Sequence, residues 1–327
     1  MIAIEIREPG GPDVLVPAQR PRPTPGPGEL LIRVAAAGVN RADVLQRLGH
    51  HPPPAGASDI LGLEASGEVV AVGDAVPGWR PGDRVMALLA GGGYAELASA
   101  PTAQVMPIPA SLSLVEAGGI PEAFITAHDG LFTRGRMHAG ETVLIHGGAG
   151  GVGTAAIQLA KQHGCRVIAT AGDDSRVQRC IGLGADVGVN YRNEDFVAAV
   201  REDTAGAGAD VILDVMGASY LERNLDALAL DGRLVVLATQ GGSHAEADLG
   251  LLARKRASIV ATHLRHRPLP QKAGIVAAFV REVLPLLELR AVRPVIGAVF
   301  PLTQAAEAHR ALEAGAQVGK VVLSVAA

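Results

Sequence analysis

The sequence predicts an α/β protein that combines a doubly wound parallel sheet with a second, β-rich domain. Strand and helix patterns alternate from about residue 122, and a glycine-rich corner lies at an early strand-to-helix junction of that region. The first third instead carries short, turn-bounded strands. A chain of 327 residues suits about two domains. We assign 1–122 and 266–327 to the β-rich domain and 123–265 to the parallel sheet.

The composition excludes several classes of protein. Hydrophobic residues make up 48% of the chain and aromatic residues only 3%, so an extensive core must be aliphatic. The net charge is −4 with no basic block, which gives no support for nucleic-acid binding. Apolar runs are shorter than the ~20 residues of a membrane span, and residues 1–10 lack an apolar signal core. We therefore expect a cytoplasmic protein with no membrane partner.

The first third reads as a distorted barrel or sandwich. We predict strands at 2–6, 29–39, 65–73, 82–89 and 92–100. One helix, 41–49, interrupts them, and it ends at Gly49 before three prolines at 52–54.

The second region alternates as a parallel sheet covered on both faces should. We predict strands at 142–146, 166–171, 187–191, 210–215, 232–238 and 258–264. The predicted helices between them are 152–164, 174–184, 194–202 and 220–230. The remaining chain carries helices at about 271–289 and 303–315 and a strand at 319–325. We expect this tail to return to the first domain.

The glycine corner predicts a dinucleotide site. Gly148, Gly150 and Gly153 fit G-x-G-x-x-G directly after a strand and before a helix. Glycines there make the tight turn, admit a pyrophosphate to the backbone and let the helix pack on the strand. The N–H groups at the start of the helix hold the phosphates. The alternative is an ordinary glycine-rich turn, which the four further alternations make the weaker interpretation.

The end of the second strand favours NADPH over NADH. An NAD site places an acidic residue there for the ribose, whereas this chain has Ala171 and Gly172, which leave room for a 2′-phosphate. Arg176, Ser175 and Tyr191 are the residues that could contact it. Arg176 could instead be a solvated helix residue, and Asp173 and Asp174 would favour NADH if they pointed inward.

The sequence resembles the medium-chain dehydrogenase/reductase superfamily, in particular its zinc-independent quinone oxidoreductases. The resemblance rests on segments 36–49, 52–69, 146–161, 190–196, 228–235 and 319–323. Segment 40–64 looks closest to the tumour-suppressor-induced, zeta-crystallin-like subgroup. The resemblance implies a Rossmann domain beside a GroES-like catalytic domain, and NADPH-dependent reduction of quinones or activated enones by hydride transfer.

Zinc-bearing members of that superfamily hold a catalytic metal through Cys, His and Cys. The matching positions here are Asn40, Leu63 and Glu122, and leucine cannot ligate a metal. Only two cysteines, Cys165 and Cys180, are present, so the four-cysteine zinc lobe is absent as well. We therefore predict no metal.

Two residues are candidate catalytic groups. Asn40 could contact the substrate carbonyl, cap the helix that starts at Arg41, or do both. His51 could donate a proton to the reduced oxygen, or be a solvated loop histidine. The predicted cofactor-binding residues are Thr126, Gly148, Gly150, Gly151, Val152, Gly153, Gly172, Ser175, Arg176, Tyr191, Gly241 and Lys320.

Two other functions and an assembly state remain open at this point. The chain could be an enoyl-thioester reductase of the same superfamily, or a non-catalytic NADPH-binding, crystallin-like protein. Segment 258–264 should be the edge strand of the parallel sheet. Because relatives join their cofactor domains at this edge, we expect a homodimer with antiparallel pairing there. Val260→Pro should remove an N–H needed for that contact.

Overall fold

The chain divides into two units in this computed structural model, which describes residues 1–325. Unit 1 comprises Met1–Ile125 and the chain from Leu264 onward, and unit 2 comprises Thr126–His263. The boundaries drawn from the sequence lie at 122/123 and 265/266.

Unit 1 begins with short strands, as its valine- and alanine-rich segments predict. In chain order the elements are β1 (Ile2–Ile6), β2 (Leu15–Gln19), β3 (Glu29–Val39), α1 (Arg41–Arg47), β4 (Glu64–Val72), β5 (Arg84–Leu88), β6 (Leu97–Pro101), β7 (Val105–Pro107), α2 (Leu114–Ala117) and α3 (Pro121–His128). A 3-10 turn, Thr102–Gln104, joins β6 to β7.

Unit 2 is a single six-stranded sheet, and all of its pairings are parallel. After a π-helical stretch, Asp129–Arg134, come β8 (Thr142–Ile145), α4 (Gly151–Gln162), β9 (Arg166–Ala171), α5 (Asp174–Gly182), β10 (Val187–Asn190), α6 (Phe196–Asp203), β11 (Ala209–Asp214), α7 (Leu221–Ala227), β12 (Leu228–Val236), α8 (Leu249–Lys255) and β13 (Ser258–Ala261). The strand order is β10-β9-β8-β11-β12-β13, so the chain adds strands on one side of β8 first and then on the other side, from β11 onward. Strand β13 lies at the edge of the sheet. This is the doubly wound order of a Rossmann sheet.

The tail completes unit 1. It consists of α9 (Leu269–Glu282), α10 (Leu284–Glu288), β14 (Ile296–Pro301), α11 (Ala305–Ala314) and β15 (Lys320–Ser324). Strand β15 lies between β14 and β3, with Val321 opposite Val39, in a sheet ordered β14-β15-β3-β4-β5-β7. Strand β6 also pairs with β3, and β1 with β2. The core of unit 1 is aliphatic, as the scarcity of aromatic residues requires.

Several sequence-based elements are wrong in their extent, among them the predicted strand 258–264, which ends at Ala261. The predicted helix 271–289 is two helices, because Pro285 has no N–H to continue the first one. The predicted helix 220–230 ends at Ala227, because Leu228 already pairs with Ala209 in the sheet. The predicted strand 92–100 begins only at Leu97, after Gly92 in a left-handed conformation (φ 96°). Strands β2, β7 and β14 and helices α2, α3 and α8 were not predicted.

Candidate active site

The glycine corner of unit 2 lies between β8 and α4, and its geometry requires glycine. Gly147 has a positive φ of 66°. A Cβ on Gly153 would lie 2.2 Å from the carbonyl oxygen of Gly147, so the first turn of α4 packs against the turn itself. Gly150 is exposed at the N-cap, and Gly151, Val152 and Gly153 contribute the first N–H groups of the helix. This corner fits a dinucleotide pyrophosphate.

A second polar group meets at the end of β9. A Cβ on Gly172 would lie 2.8 Å from the Tyr191 hydroxyl and 3.6 Å from Nη1 of Arg176, so both side chains converge above this glycine. Ala171 is buried and Ser175 is exposed in the first turn of α5. The arrangement offers a cation and two hydroxyls, a donor set that suits a phosphate.

The two aspartates of this region have partners of their own. Asp173 accepts the N–H of Arg176 at 2.9 Å as the N-cap of α5, and it pairs with Nε of Arg176 at 3.3 Å. Asp174 accepts from Nδ2 of Asn190 at 2.6 Å. Asp173 therefore both caps the helix and orients the guanidinium, which partly neutralises that charge.

Two further predicted cofactor residues lie elsewhere in unit 2. Thr126 is partly buried in α3. Gly241 follows β12, where its N–H donates to the Met216 oxygen at 2.7 Å and a Cβ would lie 1.9 Å from Oγ of Ser219. The loops after β11 and β12 thus pack closely at the carboxyl ends of the strands, the edge at which open α/β sheets bind ligands.

Unit 1 contains a buried ionic cluster around Glu64, which is fully buried at the start of β4. Its Oε1 accepts from Nζ of Lys320 at 2.7 Å and from Nδ2 of Asn40 at 2.9 Å. Its Oε2 accepts the backbone N–H of Glu122 at 2.8 Å. The pairing of β15 with β3 places Lys320 beside Asn40, and Lys320 also donates to Oδ1 of Asn40 at 2.5 Å. Both ends of the Asn40 amide are therefore fixed.

The predicted contact of Lys320 with the cofactor stays a prediction, and the structure shows which groups surround this side chain. Lys320 is 4% exposed, and its ammonium points at three acceptors: Glu64, Asn40 and the Val39 oxygen. An ammonium has three N–H donors, which match these three acceptors in number. The motif at 319–323 pointed to a lysine near the end of the sequence. The burial of that side chain depends on tertiary structure, which the motif does not describe.

Asp43 extends the cluster from the first turn of α1. Its carboxylate accepts the backbone N–H of Asn40 at 2.8 Å, that of Gly62 at 3.2 Å and the Tyr94 hydroxyl at 3.2 Å. Complete burial raises the pKa of Asp43 to about 6, against the opposing effect of these donors and of Lys320. Asn40 begins the helix as predicted, but its side-chain hydrogen bonds go to the cluster.

Behind Asp43 the network continues to α11. The Tyr94 hydroxyl lies 3.2 Å from Nε2 of His309, whose Nδ1 lies 3.3 Å from Nη1 of Arg47. Arg47 forms two hydrogen bonds of 2.9 Å to Glu313. Burial, with the neighbouring Arg47, lowers the pKa of His309 to about 3, so this imidazole is neutral at pH 7. The network holds α1 and Asp43 in place.

Glu122 differs from Glu64 and Asp43 because no hydrogen bond or ion pair within residues 1–325 engages its side chain. Burial, and then the charge of Glu64, raises the pKa of Glu122 to about 8. Lys320 opposes that shift but is already paired with Glu64. Glu122 therefore carries a proton at neutral pH. Sequence reasoning noted Glu122 only as a non-ligand, because its acidity depends on neighbours from β4 and β15.

His51 lies on the proline-rich loop after α1. Its carbonyl oxygen accepts from Nη1 of Arg265 at 2.9 Å, and its ring meets the His266 ring edge-on at 4.8 Å. The histidine is partly buried, so it is held against the 264–267 segment of the tail rather than fully solvated.

Comparisons with known proteins follow this division into units. Residues 26–110 match the family described as "Alcohol dehydrogenase GroES-like domain", and residues 151–278 match "Zinc-binding dehydrogenase". The quinone oxidoreductase of Mus musculus is 32% identical over 99% of this chain and 97% of its own. The chain belongs to the medium-chain dehydrogenase/reductase superfamily. Its α/β fold is that of the superfamily, a GroES-like domain with a Rossmann-like parallel sheet.

Other proteins are similar to this chain over part or all of their own length. A phenolphthiocerol/phthiocerol polyketide synthase protein of Mycobacterium tuberculosis is 37% identical over 63% of this chain, which spans only 9% of that synthase. The structure of Escherichia coli quinone oxidoreductase complexed with NADPH has a TM-score of 0.88 at 30% identity, covering 99% of this chain and all of that one.

Two further structures differ in their named activities. An "NAD-dependent alcohol dehydrogenase" is 36% identical, with a TM-score of 0.88 over the full length of both chains. The JamJ enoyl reductase is 28% identical, with a TM-score of 0.89 over 99% of each chain. Similarity to these members establishes an oxidoreductase that binds a nicotinamide cofactor.

The superfamily's zinc positions carry other groups in this member. Leu63 is 1% exposed in the core, and the ammonium of Lys320 lies between Asn40 and Glu64. Across residues 1–325, no three His, Cys, Asp or Glu side chains are grouped to hold a metal ion. The same residues include no helix that is long and apolar enough to cross a bilayer.

Proposed function

We propose that this protein is an NADPH-dependent reductase that transfers a hydride directly to quinones or activated enones without zinc. The observation that carries the proposal is the convergence of Arg176 and Tyr191 above Gly172, where the ribose end of the cofactor should lie. The motifs at 40–64 support placing the protein in the zeta-crystallin-like subgroup of quinone oxidoreductases.

The residues of this chain have separate tasks in that reaction. The glycine corner at 148–153 binds the pyrophosphate, and Arg176 with Ser175 and Tyr191 binds the 2′-phosphate. When bound, the cofactor supplies the hydride. The protein orients the reactants and excludes water, which contributes much of the acceleration in such transfers.

Asn40 orients the substrate carbonyl in this proposal. Lys320 and Glu64 fix the plane of its amide, and one N–H of Nδ2 is held only by a 3.3 Å contact with the Gly38 oxygen. That weak hydrogen bond can be exchanged for one to a substrate oxygen. His51 remains the proposed proton donor to the reduced oxygen.

The donor set supports the proposed zinc independence. Leucine at position 63 has no ligand atom, and a divalent cation near Asn40 would meet the Lys320 ammonium at close range. Quinones and activated enones need less help from a Lewis acid than simple ketones or alcohols do, because they are good hydride acceptors.

Steady-state oxidation of NADPH and NADH tests the proposal, with 1,2-quinones, 1,4-quinones, enones and enoyl thioesters as acceptors and with zinc content measured on the same sample. We expect turnover of quinones or enones with a preference for NADPH, unaffected by a chelator. Tight NADPH binding without turnover of any acceptor would favour a non-catalytic, crystallin-like role. Stoichiometric zinc, with activity lost on chelation, would contradict the metal-free mechanism.

An enoyl-thioester reductase is the second candidate. The resemblance to the JamJ enoyl reductase supports it, and so does a cation-lined cavity in unit 1 that the sequence did not predict. Relative kcat/KM for quinones and enoyl thioesters decides between the two candidates.

A further inference from the structure

Unit 2 contains a buried polar network beside the glycine corner that the proposed function does not use. His146 directly follows β8 and precedes Gly147, and it is 2% exposed. Its Nδ1 lies 3.1 Å from Oγ1 of Thr170, which is 1% exposed near the end of β9. Its Nε2 lies 2.8 Å from Oδ1 of Asn224 in α7. Side chains from two other elements therefore engage both nitrogens of the imidazole.

The protonation of the imidazole follows from these partners. Oδ1 of Asn224 only accepts hydrogen bonds, so Nε2 of His146 carries the hydrogen. Burial lowers the pKa of His146 to about 4, so the ring is neutral at pH 7 and its Nδ1 is an acceptor. The Thr170 hydroxyl therefore donates to Nδ1. The ring also packs edge-on against Phe196 and Tyr220, at centroid distances of 4.7 and 5.0 Å, which fix its orientation.

Thr170 joins the glycine corner to the end of β9. Its carbonyl oxygen accepts the N–H of Gly148 at 2.9 Å, and its hydroxyl donates to His146. The residues on both sides of Gly147, where φ is 66°, are thus held by one residue of the neighbouring strand. Thr170 also lies two positions before Gly172, at the proposed 2′-phosphate site. The same contacts therefore fix the two halves of the dinucleotide site relative to each other.

The network costs stability, because it places polar groups in an apolar core. The preceding residues of both strands, 143–145 and 167–169, are apolar and buried. Asn224 is fully buried, and its Nδ2 has no hydrogen-bond partner within residues 1–325. Leaving such a group unpaired is unfavourable. Apolar side chains would pack here without that cost, but their contacts are not directional and would not orient Thr170.

We propose that His146 is a positioning residue for the nicotinamide cofactor. Through Thr170 it fixes the spacing between the glycine corner, which receives the pyrophosphate, and the end of β9, which receives the adenosine ribose. A ligand that spans both subsites gains affinity from their fixed spacing, whereas a fragment that fills one subsite does not. The inference rests on the cofactor subsites of the proposed function, but not on its preference for NADPH over NADH.

Calorimetric titration with NADPH, NADH and adenosine 2′-monophosphate tests the inference in variants of Thr170. Thr170→Val removes the hydroxyl with little change of shape, and Thr170→Ser retains it. We expect Thr170→Val to weaken both dinucleotides by about tenfold, as for a lost hydrogen bond that leaves a buried acceptor unpaired. Thr170→Ser should bind them as the wild type does. The monophosphate carries no pyrophosphate, so its affinity should be the same in all three proteins.

Two variants of His146 separate the contact with Thr170 from packing. The side-chain amide of asparagine overlies Nδ1 of histidine, so His146→Asn retains an acceptor for the Thr170 hydroxyl. The amide of glutamine overlies Nε2, so His146→Gln retains the partner of Asn224 instead. Both variants lose the ring contacts with Phe196 and Tyr220 and should melt below the wild type. We expect His146→Asn to bind both dinucleotides more tightly than His146→Gln.

Thr204→Val is the matched control, in the same unit but before β11. The Thr204 hydroxyl donates to the Val200 oxygen at 2.7 Å and accepts the Gly208 N–H at 2.9 Å. Its loss should lower the melting temperature and leave dinucleotide affinity unchanged. Hydrogen exchange gives a measurement without cofactor: the Gly148 amide should exchange faster in Thr170→Val than in the wild type or in Thr204→Val.

Three outcomes would overturn the inference: unchanged dinucleotide affinity in Thr170→Val, an equal loss for the monophosphate and the dinucleotides, or equal affinities of His146→Asn and His146→Gln. Failure of the proposed function gives a different result. Equal affinity of the wild type for NADPH and NADH, with the same loss for both in Thr170→Val, refutes the NADPH preference alone. A wild type that prefers NADPH, with no loss in Thr170→Val, refutes the role of His146 alone.

Discussion

Replacing Glu122 by glutamine should change how the stability of the protein depends on pH. The pKa of Glu122 is raised from 4.5 to about 8 by burial and by Glu64, so the folded state holds this proton more tightly than the unfolded state does. The resulting stability is fully present below pH 4.5 and is lost as pH rises through about 8. Glutamine has the same shape and stays neutral, so Glu122→Gln should not show that loss.

The magnitude follows from the shift and from the exposure of the side chain. The full shift would correspond to about 5 kcal/mol, at about 1.36 kcal/mol per pKa unit. Because Glu122 is only partly buried, solvent screens that cost, and we expect a difference of about 2 kcal/mol between the proteins.

Urea unfolding at pH 4.5 and above pH 8 measures the difference. At the lower pH the wild type and Glu122→Gln should have similar free energies of unfolding. At the higher pH the variant should be the more stable protein. Glu246→Gln, in an exposed loop, controls for the loss of one negative charge. A difference that is independent of pH, or that widens toward low pH, would refute the assignment of a protonated Glu122.

Three further predictions concern the cofactor site and the assembly. Arg176→Ala should weaken NADPH binding by roughly 1.5 kcal/mol in fluorescence titrations and leave NADH binding unchanged. Arg179→Ala, at an exposed position of the same helix, is the control, and an equal loss of affinity for both cofactors would contradict the 2′-phosphate site. Gly153→Ala should lower both the melting temperature and NADPH affinity, because its Cβ would meet the Gly147 oxygen at 2.2 Å, and an unchanged protein would exclude that packing. Ala261→Pro should dissociate the proposed homodimer in sedimentation, and a wild type that is already monomeric at micromolar concentration would rule the dimer out.

The choice of Ala261 corrects the residue chosen from the sequence. Thr262 donates its N–H to the Val236 oxygen, that is, toward β12 inside the sheet. Since N–H groups alternate in direction along a strand, Val260 also faces β12, and Ile259 and Ala261 face the open edge. Ile259 is 41% exposed there. Val260→Pro would damage the ladder with β12 rather than test the dimer.

Local patterns predicted the parts of the fold that depend on neighbours in sequence. The glycine corner followed directly from a strand, a G-x-G-x-x-G motif and a helix, because those constraints act within about ten residues. The strands at 2–6, 29–39 and 166–171 were predicted with their observed limits. Edge position for β13 followed from chain order and the rules for parallel sheets.

Less of the candidate site in unit 1 could be predicted from the sequence. Asn40 was identified, but the charges around it come from β4, α3 and β15, which no local pattern connects. Lys320 was named from its motif, whereas its burial is set by the pairing of β15 with β3.

The position of β15 between β14 and β3 has a consequence for synthesis of the protein. Lys320 and its acceptor at Val39 are 281 positions apart, with all of unit 2 translated between them. At about 5–20 residues per second, the ribosome needs roughly 15–55 s to reach Lys320 after Val39 has emerged. During that interval Glu64 and Asn40 have no ammonium partner and residues 36–39 of β3 lack their partner strand, while unit 2 can already fold. For most of its translation the nascent chain therefore exposes a strand edge that can pair with other strands. A chaperone that covers β3 would act before β15 is synthesised.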